Sequence, residues 1–325
     1  MSRFGIDDIH HAAAQLAGQV VATPLLSSPQ LDARAGCRVL VKAENLQRTG
    51  SFKLRGALNK ILGLPAQQRR HGVVTFSAGN HGQGVAAAAR QAECPAVIIL
   101  PSNAPEIKIE NCRWWGAEVV LYDPLTQDRE AVAQRFIDER GMTLIHPFDD
   151  PEIMAGQGTA GLELCAQASG QGDIIDAIVI SCSGGGLASG VVTAVTDAFP
   201  HAGIFLAEPA GGEKMKRSLD SGRPERNAPG RQTIMDAING PTVGAAPLHV
   251  LSRYCVHCLS VTDDQALQAM EAAFRLLKIV VEPGGAASLA AVLQNPDLFR
   301  DRTVGVVCSG GNVDPAVFAR AIGKR

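Results

Sequence analysis

Short runs of aliphatic and β-branched residues alternate with longer stretches of helical periodicity along nearly the whole chain. The runs Arg38–Lys42, Val73–Phe76, Ala96–Leu100, Glu118–Leu121, Ala177–Ser181, Gly203–Ala207, Val256–Val261 and Thr303–Cys308 read as strands. Many are apolar throughout, as expected of strands covered on both faces of a parallel sheet. Between them the spacing predicts helices over Gly82–Gln91, Thr126–Glu139, Leu187–Ala198 and Asp263–Leu277. Strand and helix in alternation predict an α/β fold with open parallel sheets. Ligands of such folds bind at the carboxyl ends of strands, where loops lead into helices. Pro147-Phe148-Asp149-Asp150-Pro151 is the clearest mid-chain breaker, and segment 212–250, rich in charge, Pro and Gly, reads as an irregular surface excursion.

The 325 residues suggest about two domains. With 46% hydrophobic and 19% charged residues, the chain can bury a sizeable core. A net charge of −2 and no long basic run argue against a nucleic-acid or membrane-surface binder. The 34 glycines cluster in loops without a fixed period, which excludes collagen and solenoids. Ala177–Thr196 is uncharged for 20 residues, but its internal Ser-Gly-Gly-Gly favours a buried strand, a loop and a helix over a membrane span. Of eight cysteines only Cys255-Val256-His257-Cys258 has close spacing, and no second pair completes a zinc site. Reduced thiols and the absence of a signal-peptide pattern predict a cytoplasmic protein.

Three predicted strand ends lead into loops that a core alone does not require: Ser77-Ala78-Gly79-Asn80-His81-Gly82-Gln83-Gly84, Cys182-Ser183-Gly184-Gly185-Gly186-Leu187 and Ser309-Gly310-Gly311-Asn312. Glycine lets the backbone turn sharply and approach a ligand. A glycine loop opening a helix also directs free N–H groups and a positive dipole end at one spot, suited to a phosphate. Each loop alone reads as a tight turn. Three at equivalent positions point to a site between sheets. A fourth segment, Ser51-Phe52-Lys53-Leu54-Arg55-Gly56-Ala57, offers Ser51 as an N-cap and Lys53 in a first helical turn. Apolar surroundings would lower the Lys53 pKa towards that of a usable nucleophile.

Ser51–Ala57, Ser77–His81, Ser183–Leu187 and Ser309–Asn312, in this order, resemble the motifs of fold-type II pyridoxal-phosphate enzymes, in the threonine/serine dehydratase (ammonia-lyase) branch close to serine racemase. The resemblance implies two open, twisted, mainly parallel sheets flanked by helices, with the cofactor in a cleft between a large and a small domain. Residues 1–71 and 150–325 would form the large domain and 72–149 the small one. Lys53 would hold pyridoxal 5'-phosphate as a Schiff base and then remove the substrate Cα proton. Ser183, Gly184, Gly185, Gly186 and Leu187 would bind the phosphate, Asn80 the ring hydroxyl oxygen, and Ser309 would face the pyridine nitrogen. Ser51 with Ser77, Ala78, Gly79, Asn80 and His81 would receive the substrate carboxylate. The implied reaction is β-elimination from L-threonine, L-serine or a relative such as phenylserine or 3-hydroxyaspartate, giving a 2-oxo acid and ammonia.

Two positions depart from the resemblance. Serine racemases carry a second serine where this chain has Ala78, which cannot move a proton, so dehydration is favoured over racemisation. The family's cation site would involve Glu208 and the Gly212 carbonyl, with Lys214 where a further acid is expected, and lysine is no ligand for Mg²⁺ or Ca²⁺. Glu282 matches a glutamate near the cofactor or, more simply, an acid at a helix start. His81 reads mainly as ordering its loop. Gln157 and Thr159 are candidate wall residues, as are segments 125–160 and 210–245, and Trp114-Trp115 suggest core or subunit contact. A homodimer or homotetramer is expected. The competing reading, a nicotinamide-dependent oxidoreductase, takes Ala177 to Glu208 as a dinucleotide unit, but the glycine spacing is wrong and Lys53 and Ser309 are left unexplained.

Overall fold

The computed structural model describes residues 4–77, 79–104 and 106–323. The strands are β1 (Leu25–Leu26), β2 (Arg38–Ala43), β3 (Val73–Phe76), β4 (Ala96–Pro101), β5 (Glu118–Tyr122), β6 (Thr143–Leu144), β7 (Ala177–Ser181), β8 (Gly203–Pro209), β9 (Val256–Val261) and β10 (Thr303–Cys308). They form a six-stranded sheet in the order β1-β2-β10-β7-β8-β9 and a four-stranded sheet in the order β5-β4-β3-β6. Every described pairing is parallel except that of β1 with β2.

Alternation along each strand explains why these sequences are apolar throughout. Val39, Val41, Val179 and Val306 face one layer with Ala286, Ala287 and Leu289 of helix Pro283–Gln294. Their neighbours Leu40, Ile178, Ile180 and Val307 face the other, against Leu164 of helix Pro151–Gly170 and Val191 and Val195 of helix Gly186–Ala198. Both faces are therefore buried, and the polar exceptions Lys42 and Thr75 are themselves buried and bonded, to Glu163 and to the Ile145 carbonyl. The small sheet repeats the pattern. Val73 and Ile98 pack on helices Lys53–Gly63 and Asn80–Gln91, while Val74 and Ile99 pack on Val132 of helix Arg129–Arg140.

The differences from the sequence reading have local causes. The helix expected from Thr126 starts at Arg129 because the Asp128 carboxylate accepts from the N–H groups of Glu130 and Ala131 at 2.8 and 2.9 Å. The helix expected from Gly82 begins at Asn80, so the loop motif includes a first helical turn. Helix Asp263–Ala272 gives way to a π turn, Ala273–Leu277, ended by Lys278 at φ 62°. Strands β1 and β6 are too short to show periodicity. Segment 212–250 is no mere surface excursion: it carries helices Lys214–Ser221 and Ala245–Leu251, and Met235 and Ile238 are buried. Trp114 is exposed rather than core, with the Arg90 guanidinium 5.4 Å from its ring centre. The uncharged stretch divides into β7, a turn and helix Gly186–Ala198, and no described helix is long and apolar enough to cross a membrane.

Candidate active site

A cavity of about 370 Å³ lies among the carboxyl ends of β3, β7 and β10 and is walled by Lys53, Asn80, Gly185, Glu282 and Ser309, among others. Its position follows from backbone stitching. The Phe52 N–H donates to the Ser309 carbonyl at 3.1 Å and the Gly311 N–H to the Gly50 carbonyl at 2.8 Å, while Ser51 and Gly310 form an antiparallel bridge. The start of helix Lys53–Gly63 is thereby tied to the end of β10.

That bridge corrects the expectation for Ser51. Phe52, not Ser51, occupies the N-cap position. Ser51 is fully buried, lies off the cavity wall, and its hydroxyl has no partner. Lys53 is the first helical residue, and its amine faces the cavity and donates to the Pro147 carbonyl at 2.5 Å. Burial pulls its pKa down to about 8, so a minor neutral fraction, about a tenth, exists at pH 7.

From the end of β3, Ser77, Gly79, Asn80 and His81 reach the cavity, whereas Ala78 lies outside the described residues. His81 Nε2 lies 3.0 Å from the Ile145 carbonyl, an acceptor only, so this nitrogen carries the hydrogen and Nδ1 is bare. Nδ1 is buried without a partner. Burial, and then the nearby Lys53 charge, hold His81 well below the usual histidine range and keep it neutral. It anchors the loop, as the sequence suggested.

Asn80 Nδ2 donates to Glu282 Oε1 at 2.6 Å, and Asn80 Oδ1 accepts from Asn312 Nδ2 at 2.8 Å. The amide orientation is fixed at both ends, with one Nδ2 hydrogen left for the cavity. Glu282 stands at the N-cap position of helix Pro283–Gln294, as the simpler reading expected, but its carboxyl makes no capping bond and accepts from Asn80 instead. Burial pushes its carboxyl up to about 8. Gly310 is required beside it, because a Cβ there would lie 2.2 Å from Glu282 Oε1.

Beyond β7, the turn Ser183–Gly186 enters helix Gly186–Ala198. The N–H groups of Gly184 through Ala188 have no protein acceptor among the described residues. Gly185 holds φ at 97°, and a Cβ there would meet Met215 and Pro247 at 2.7 Å. Five unpartnered donors at a helix start, with no lysine or arginine in the turn, fit a phosphate held by backbone alone. Together with a depressed amine at Lys53 and a fixed amide at Asn80, the residues fit pyridoxal phosphate. Phe148, which the sequence reading missed, packs on this turn, since a Cβ on Gly184 would fall 2.3 Å from its ring. Its position in the 147–151 breaker was the available signal.

Other candidates lie elsewhere. Gln157 and Thr159 are buried in helix Pro151–Gly170, off the cavity wall, with Thr159 accepting from Arg55. Glu208 is also remote from the wall. Its carboxylate accepts from the N–H groups of Met215 and Lys216 at 2.8 and 3.0 Å, and the Gly212 carbonyl accepts from the Lys214 N–H at 2.8 Å and Asn227 Nδ2 at 3.2 Å. The Lys214 ammonium, fully buried, donates to the Ile238 carbonyl at 3.3 Å. These oxygens serve the protein itself. Among the described residues no cluster of His, Cys, Asp or Glu could hold a metal.

Residues 16–310 match the family described as pyridoxal-phosphate dependent enzyme. The chain is 39% identical over 313 residues to an L-threo-3-hydroxyaspartate ammonia-lyase from Pseudomonas sp, covering 96% of each. It is 36% identical to the serine racemase of Dictyostelium discoideum, covering 99% of both chains. The solved threonine deaminase of T.th. superposes with a TM-score of 0.90 at 40% identity, over 95% of this chain and 99% of that one. Two parallel-dominated sheets, a cavity amine at Lys53 and these likenesses over nearly the full length place the chain in the fold-type II family of pyridoxal-phosphate-dependent enzymes.

Proposed function

We propose that the protein catalyses β-elimination of a β-hydroxy-α-amino acid, releasing a 2-oxo acid and ammonia. The observation that carries this reading is the pairing, in one cavity, of the half-buried Lys53 amine with the unpartnered N–H groups of the Gly184–Ala188 turn. When bound, pyridoxal phosphate supplies an electron sink for negative charge at the substrate Cα. Lys53 Nζ would hold the cofactor aldehyde and, once the substrate amine takes its place there, the freed amine would accept the Cα proton. The turn from Ser183 to Leu187 would bind the phosphate, Asn80 would offer its remaining amide hydrogen to the ring oxygen, and Ser309 would serve the ring nitrogen. Ser77, Gly79, Asn80 and His81 receive the substrate carboxylate. Neutral His81 keeps Nε2–H on Ile145 and positions the loop, so that its backbone rather than its ring would meet the carboxylate.

Relatives named as ammonia-lyases of threonine and 3-hydroxyaspartate support elimination. Relatives named serine racemase favour a second activity, but Ala78 leaves no side chain there to return a proton from the opposite face. We also propose a small domain of residues 72–149 within a large domain of 1–71 and 150–325, supported by the confinement of β3–β6 to the inner segment. The assembly would be a homodimer or homotetramer, in the cytoplasm, where eight unpaired cysteines are at home. Ammonia and 2-oxo acid release, assayed across serine, threonine, phenylserine and 3-hydroxyaspartate in both β-configurations, tests the reading. Release from none of them, with racemisation of serine instead, would overturn it.

A further inference from the structure

The imidazole of His146 accepts through Nδ1 from the N–H groups of Phe148 and Asp149, at 3.4 and 2.8 Å. These donors lie two and three residues on. The Asp150 carboxylate accepts at the same offsets from Glu152 and Ile153, and the Asp128 carboxylate from Glu130 and Ala131. Aspartate and asparagine commonly hold backbone turns in this way. Histidine does so only while Nδ1 is bare, because a protonated imidazole has two donors and no acceptor. The hydrogen of neutral His146 is accordingly on Nε2.

The turn closed by this contact touches both the amine and the glycine turn of the cavity. The Pro147 carbonyl accepts from Lys53 Nζ at 2.5 Å. The Phe148 ring stands edge-on to the imidazole, with ring centres 4.8 Å apart. It also fills the space over the glycine turn, since a Cβ on Gly184 or Gly186 would lie 2.3 or 3.0 Å from Phe148. The Asp149 carboxylate accepts from the N–H groups of Ala245 and Ala246 at 3.1 and 2.8 Å. Just before them, the Gly244 N–H donates to the Gly184 carbonyl at 3.0 Å. Burial is the largest influence on His146 and lowers its pKa from the usual histidine value. Asp149, Asp150 and, from helix Arg129–Arg140, Glu130 favour a proton on the ring. Lys53 opposes one, as a charged His81 on helix Asn80–Gln91 would.

We propose that His146 is a positioning residue: its bare Nδ1 holds the Pro147–Asp149 turn in the form that presents Lys53 and the glycine turn to the cofactor, and a proton on this ring releases that hold. This role rests on the assignment of Lys53 and the glycine turn to pyridoxal phosphate, and adds a proton dependence to it. At pH values above the folded pKa of His146 the contact is intact. Below that pKa, an Nδ1 hydrogen confronts the Asp149 N–H and the turn loses its tie. Asparagine at this position keeps the contact at every pH, because its Oδ1, like Nδ1, is attached to Cγ and the amide does not titrate.

The test measures, by absorbance, the affinity of the apoprotein for pyridoxal phosphate from pH 8 down to pH 5 in the wild type, His146→Asn and His146→Ala. At pH 8 His146→Asn should bind as the wild type does. His146→Ala should bind about tenfold more weakly, because the Asp149 N–H is left without its acceptor. As pH falls below about 6.5, the wild type should weaken by about tenfold relative to His146→Asn and approach His146→Ala. Lys53 and the cofactor phosphate titrate in all three proteins, so the ratio between them isolates His146. A ratio of wild type to His146→Asn that stays constant with pH overturns the proposal. So does a His146→Asn variant as weak as His146→Ala at pH 8, or a His146→Ala variant as tight as the wild type. A wild type that binds at pH 8 no better than Lys53→Ala overturns the assignment of Lys53 to the cofactor as well.

Discussion

Asn80 Nδ2 and Glu282 Oε1 lie 2.6 Å apart although 202 positions separate the two residues. The contact joins the first turn of one helix to the residue just before another, across the cavity between the two sheets. It fixes which way the Asn80 amide points, and it buries a carboxyl that has no cationic partner. Both consequences can be measured.

Glu282 binds a proton more tightly in the folded state than in the unfolded chain. Between pH 4.5, its ordinary value, and about 8, the folded protein therefore carries more protons than the unfolded one. Its stability contribution is fully present below that window and falls as pH rises through it, by on the order of a few kcal/mol. Urea unfolding of the apoprotein at pH 5.5 and 8.5 should show this decline. Glu282→Gln should flatten it and alter the pH dependence of the cofactor's visible absorbance. An unchanged slope in the variant would mean the carboxyl is already ionised.

For Lys53 the sign concerns reactivity. Burial lowers its pKa to about 8, and only the neutral amine attacks an aldehyde. Reconstitution of apoprotein with pyridoxal phosphate, followed by absorbance, should accelerate as pH rises from 6.5 and level off above about 8.5. Lys53→Ala should abolish the protein-bound absorbance band and reduce turnover by about a thousandfold or more.

Arg55 follows Lys53 by two positions and is fully buried with Glu44, to which Nε and Nη2 donate at 2.8 Å, while Nη1 and Nη2 donate to Glu163 at 2.6 and 2.8 Å. Lys42 completes the group through Glu163 at 2.7 Å. Arg55→Met strands buried carboxylate charge and should cost about 3–5 kcal/mol in chemical denaturation. The simultaneous change Arg55→Met with Glu44→Gln should recover part of that loss.

Glu208 tests the cation question. Its carboxylate is committed to the N–H groups that start helix Lys214–Ser221. Glu208→Ala should therefore cost about 1–2 kcal/mol of stability whether or not Mg²⁺ is present. Prolonged dialysis against a chelator should leave activity and melting temperature of the holoenzyme unchanged. A fall restored by Mg²⁺ or Ca²⁺ would show that a metal engages the protein.

Much of the architecture was legible because burial on both faces leaves a simple mark. Strands such as Ala177–Ser181 and Thr303–Cys308 admit no polar alternate, and the observed bounds coincide with the sequence reading. The glycine turns were legible for a related reason: side chains are missing where the backbone turns sharply or packs closely, as at Gly185 and Gly310. Helix Pro151–Gly170 left no such mark, since consecutive positions from Ile153 to Gly161 are buried and erase its amphipathic period.

Order and composition along the chain thus determined the alternating strands and helices, the three glycine-rich turns and a lysine in a first helical turn, because each depends on neighbours within a few residues. Tertiary structure alone decided that Ser51 is sealed in a backbone bridge, that Glu208 and Gly212 are spent on the protein's own N–H groups, and that the Lys53 amine meets the Pro147 carbonyl. Those outcomes depend on which distant donors and acceptors meet, and on how much water is excluded where they do, quantities that no local pattern encodes.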